Sequence, residues 1–163
     1  MMRIPIRPLV CILLCLEAAT FAADRPDFSG AYTLTASKGS MKFEKGNVKT
    51  LSVAQTETSI EVTESEGGRR TTNSYPLNGK ESAYVSPGSV KGTCKGQFKK
   101  NYLILESVAT THPQANGPAV QIHTKQKWEL STDLKTINIH VDVDSPQSPI
   151  NVVEPWTEIY TRN

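Results

Sequence analysis

The sequence predicts an all-β fold, an antiparallel up-and-down β-barrel of about 8–10 strands, on three observations. Apolar and polar residues alternate with period two through most of the chain after residue 28, and no useful length of it follows a helical period. Turn-forming residues interrupt the alternation every 8–12 positions, roughly the spacing of a β-sandwich or barrel. All ten glycines and eight of the ten prolines fall after residue 22, mostly between the alternating runs. The alternative is a two-layer β-sandwich, but a sandwich usually needs Greek-key crossovers, and the short sequential hairpins here favour a barrel.

The chain opens with a segment that is not part of this pattern. Arg3 and Arg7 form a basic start, Leu9 to Leu16 is an unbroken apolar run of eight, and Glu17 to Ala22 is a short mixed stretch ending in a small residue. Those are the three zones of a secretory signal, and the run is far shorter than the roughly 20 residues a membrane-spanning helix needs. Cleavage after Ala22, with Thr20 at the −3 position, is expected. It leaves residues 23–163 as a single domain of 141 residues, enough for one core without disulfides or a metal. The expected location is periplasmic or extracellular, with no integral membrane segment left after cleavage. Cys11 follows Val10 and Cys15 follows Leu14, poor contexts for lipid attachment.

The elements follow in order. Residues 30–36 form the first strand. Residues 49–55 and 60–65 form a hairpin around Glu57 and Thr58. Residues 70–76 follow the Gly67–Gly68 turn. Asn78–Gly79 is a hairpin signal leading into 82–86. Residues 91–98 and 102–109 pair across Lys100–Asn101, residues 119–130 and 135–143 pair across Asp133–Leu134, and residues 154–161 close the chain. The clearest long loops are 110–118 and 144–151, both rich in proline.

Alternation assigns faces. Leu51, Val53, Ile60, Val62, Cys94, Phe98, Leu103 and Leu105 point inward, with Gly92 and Gly96 flanking Cys94 on the same side. In the long hairpin, Val120, Ile122, Trp128, Leu130, Ile137, Ile139, Val141 and Val143 share the inner face. A turn at Asp133–Leu134 sets Lys125 opposite Asp142 and Lys127 opposite His140, so the outer face is a ladder of charges.

Removing Arg3, Arg7 and Glu17 leaves 16 basic and 15 acidic residues, net +1, interspersed and without a basic patch, so nucleic acid is not an expected partner. The signal also removes two of the three cysteines, leaving Cys94 alone and unable to form an internal disulfide. Its inward position reads as a small buried apolar residue rather than a reactive thiol.

Asp27 to Leu34, Asp-Phe-Ser-Gly-Ala-Tyr-Thr-Leu, resembles the D-F-x-G-x-W opening of lipocalin-type barrels. It resembles still more the opening of small exported proteins of acidobacteria-like soil bacteria with a lipocalin-like (calycin-type) barrel. Trp128 to Ile137 is similar to their penultimate hairpin, and Glu158 to Arg162 to their last strand. In lipocalins the opening tryptophan packs at the closed end under a basic residue of the last strand. The resemblance therefore implies Tyr32 and Arg162 as the pair at that end. Two positions depart from the pattern. Tyr32 stands for the tryptophan, and Leu134 stands for the usual turn glycine, so the turn is not type I′.

No recognisable catalytic constellation is present, and no enzyme activity is expected. There is no G-x-S-x-G elbow, and no helix start follows Gly67–Gly68 or Asn116–Gly117–Pro118 to make a phosphate cradle. His123 and His140 lie on neighbouring strands but about three rows apart, roughly 10 Å, too far to share one ion. His112 precedes Pro113 in a loop without an obvious partner. No metal and no cofactor are expected. A barrel of this size can hold one small ligand in its mouth. The expected partner is a small hydrophobic or amphipathic molecule such as a fatty acid. Its candidate contacts are the interior residues Gln55, Cys94, Ser107 and Trp128, with Thr124 and Gln126 beside them. The alternative is a protein-interaction or inhibitor module presenting the loops 110–118 and 144–151. A monomer is the expected state.

Overall fold

The computed structural model describes residues 25–40, 48–86, 90–112, 118–146 and 153–163. The segment read as an export signal, and most of loops 110–118 and 144–151, lie outside them. The strands are β1 (Gly30–Gly39), β2 (Lys49–Gln55), β3 (Ser59–Glu66), β4 (Arg69–Pro76), β5 (Ser82–Ser86), β6 (Val90–Lys99), β7 (Tyr102–Thr111), β8 (Val120–Leu130), β9 (Thr136–Asp144) and β10 (Val153–Arg162). They form one antiparallel sheet in the order β4-β3-β2-β1-β10-β9-β8-β7-β6-β5. Every strand pairs with its neighbour in sequence except β4 with β5, and the first strand pairs with the last. The result is a nearly closed up-and-down barrel, with no helix among the described residues.

Local chemistry accounts for the turns. Gly67 and Gly68 join β3 to β4 with φ of +55° and +80°, the double left-handed step of a type I′ hairpin. The β8–β9 turn is built differently, as its leucine requires. Leu134 N donates to Ser131 O at 2.9 Å, and Asp133 Oδ1 accepts from Ser131 Oγ at 2.6 Å and Lys135 N at 3.0 Å. Leu134 itself holds φ +59°. The hairpin register sets Lys125 opposite Asp142 and Lys127 opposite His140. His123 faces Asp144, four residues along β8 from the His140 row, about 13 Å at strand spacing.

The Asn78–Gly79 hairpin expected from sequence does not form a ladder: β4 and β5 are the two edges of the sheet. The turn is spent on closing the seam instead. Leu77 N donates to Thr58 O at 2.8 Å and Gly79 N to Gly96 O at 3.0 Å, while Asn78 bridges Gln97. These bonds carry the chain across the end of the barrel onto β6 rather than back along β4. A Cβ at Gly96 would lie 2.9 Å from Leu77 Cδ2 and 3.2 Å from Pro76 O, so glycine is what lets the crossing segment lie flat. Farther along the seam Cys94 Sγ donates to Ser74 O at 3.2 Å. Two irregularities, between Leu34 and Ala36 in β1 and between Val153 and Trp156 in β10, increase the bend where these strands approach the opposite end.

Candidate ligand-binding cavity

One end of the barrel is sealed by aromatic side chains. Phe28 and Trp128 are wholly buried and meet edge to face with centroids 5.9 Å apart, and Phe98 stacks on Phe28 at 6.4 Å. Such pairs add about 0.5–1.5 kcal/mol each beyond the area they bury. The segment before β1 crosses this end and is latched by Gln55. Its Oε1 accepts from Phe28 N and its Nε2 donates to Pro26 O, both at 3.1 Å. Hydrogen bonds from Ser29 hold the Asp27 carboxyl below the usual carboxylate range. Tyr32 and Arg162 are register partners here. Arg162 Nη2 donates to Tyr32 OH at 2.6 Å and to Ser29 O at 3.0 Å, and the guanidinium lies 5.2 Å from the centre of the tyrosine ring. Tyr32 OH donates to Phe28 O at 3.0 Å.

Burial falls off sharply along the interior toward the other end. Leu103, Leu105, Ile137 and Tyr160 are at most 1 % exposed. Farther along the same inner face, Ser107, Ala109, Ile122, Thr124 and Val143 face inward by register but remain partly exposed. Their side chains are mostly small, and Gly92 has none. At Gly92 a Cβ would collide with the Val108 carbonyl. Toward the mouth the inner face is therefore less covered by neighbouring side chains, and it mixes methyl groups with hydroxyls.

A charged centre sits on the inner face. Glu158 is 9 % exposed and turned inward between Trp156 and Tyr160. Lys49 Nζ donates to its two oxygens at 2.8 and 3.0 Å, Tyr160 OH donates to Oε2 at 2.8 Å, and Trp156 Nε1 reaches Oε1 at 3.4 Å. Glu64, inward on β3, lies 3.6 Å from the same ammonium. Burial pushes the Tyr160 phenol well above its usual range, and the charge of Glu158 adds to this. Burial opposes the charge on Lys49, but Glu64 and Glu158 outweigh it and its pKa is raised. Sequence reasoning missed this centre, although its parity was available. Lys49 continues the inward series of Leu51 and Val53, and Glu64 continues that of Ile60 and Val62.

The four interior residues expected to touch a ligand separate into two pairs. Ser107 lies in the open half, and Cys94 stands in the same row, buried, its thiol pushed up by that burial. Gln55 and Trp128 belong to the sealed end, where Gln55 holds the N-terminal segment and Trp128 Nε1 donates to Gln126 Oε1 at 2.9 Å. A groove of about 350 Å³ runs across β6 to β9; it is lined by outward side chains, among them Lys95, Glu106, Lys125 and Asp142, and also by Cys94, Ser107 and Thr124 of the inward series. Lys95 and Glu106, register partners in one of its rows, pair at 3.1 Å. Among the described residues no group of three or more histidines, cysteines or carboxylates is placed to hold a metal ion, and no helix is long and apolar enough to cross a membrane.

The architecture matches solved barrels over most of its length. A fatty acid transporter, REP1-NXSQ, superposes with a TM-score of 0.56 over 83 % of this chain and 95 % of its own, at 14 % identity. The fold is a lipocalin-like up-and-down barrel. Fatty-acid-binding protein 1 of Echinococcus granulosus matches with a TM-score of 0.56 at 14 % identity, over 83 % of this chain and 96 % of its own. Human cRBP IV matches at 0.53 and 13 % identity, over 85 % of this chain and 99 % of its own. No family model matches the sequence, and no curated protein is similar to it. The barrel is thus shared in shape at identities too low to carry more than the fold.

Proposed function

We propose that this chain is an exported, non-catalytic module that holds one small hydrophobic or amphipathic molecule inside its barrel. One observation carries the reading: on β7, β8 and β9 the inward residues Ser107, Ala109, Ile122, Thr124 and Val143 stay partly exposed, while Leu103, Leu105, Trp128, Ile137 and Ile139 of the same strands are at most 3 % exposed. A barrel selected only for stability would fill that half, because each unfilled methyl-sized void costs about 1 kcal/mol. The matching structures, a fatty acid transporter and a fatty-acid-binding protein, support a ligand of this class.

Export rests on the zones of residues 1–22, and the opening and closing motifs support kinship with the small exported barrels of soil bacteria. N-terminal sequencing of protein recovered from an expressing bacterium should begin at Ala23; an intact Met1 would contradict export. Binding is tested by incubating the purified chain with a panel of lipids and amphiphiles. Native mass spectrometry and thermal melting should show a 1:1 species and a raised midpoint for at least one of them. No adduct and no shift with any would overturn the reading.

A further inference from the structure

We draw no further inference here: the strongest candidate, the groove across β6 to β9 with the exposed carboxylates of Asp142 and Asp144 at its β9 end, rests on an acidic cluster alone, and nothing in the structure shows what covers it.

Discussion

Replacing Lys49 with methionine probes the charged centre most sharply. The substitution keeps the aliphatic stem and removes the ammonium that donates to Glu158 at 2.8 and 3.0 Å. Stranding one partner of a buried ion pair costs about 3–5 kcal/mol. Here the two side chains keep 15 % and 11 % exposure, and Tyr160 and Trp156 still donate to Glu158, each such bond being worth about 1 kcal/mol. The expected loss is therefore about 2 kcal/mol, or a midpoint lowered by roughly 6–10 °C for a domain of this size. Urea unfolding followed by tryptophan fluorescence measures it. Glu158→Gln and the double variant complete a cycle in which the double variant should lose about 1–2 kcal/mol less than the sum of the singles. A loss under about 0.5 kcal/mol for Lys49→Met, or strict additivity, would refute the assignment of Lys49 as the principal hydrogen-bonding partner of Glu158 inside the barrel.

The same groups set the alkaline limit. Tyr160 is held protonated above its ordinary value of 10.0 and Lys49 above 10.5. The unfolded chain releases both protons first, so their stabilisation is whole below about pH 10 and is lost as pH rises beyond it. Melting midpoints should decline above about pH 10, and less steeply in Tyr160→Phe; equal slopes would contradict the linkage. Leu134→Gly should raise stability by about 0.5–1 kcal/mol in urea melts, because Leu134 holds φ +59° and is exposed. Gly96→Ala should lower it by about 1–2 kcal/mol by pushing against Leu77 and Leu105; a neutral result would show that the crossing segment shifts freely. Gln55→Ala should cost about 1–2 kcal/mol through the lost latch on Phe28 and Pro26, read by the same unfolding curves.

Much of the fold was legible because alternation and turn chemistry are local. The pairing of Lys125 with Asp142 follows from one turn and a period of two. The seam was not legible. Asn78–Gly79 has the composition of a hairpin, and only the closing of the whole barrel decides that it bonds to β6 instead, beside Leu77 bonded to Thr58 in the β2–β3 turn. The candidate site was half legible. Its open wall at Ser107 and Thr124 follows from parity, as does the inward placement of Lys49 and Glu64. A charged residue in an inward series is compatible with a barrel mouth, where inward charges can be hydrated or paired. The placement of Glu158 beside Lys49 was out of reach, since it depends on the irregularities in β1 and β10, and a shift of one residue moves every later side chain to the other face.

The central claim is that the mouth half of the barrel is hollow and takes a ligand. Titrating N-phenyl-1-naphthylamine into the mature chain and into Thr124→Trp, whose larger side chain would occupy that space, tests it most directly. The account predicts saturable 1:1 binding to the unsubstituted chain and at least about tenfold weaker binding to Thr124→Trp while it still melts cooperatively. Equal binding by the two, or no saturable binding by either, would contradict it.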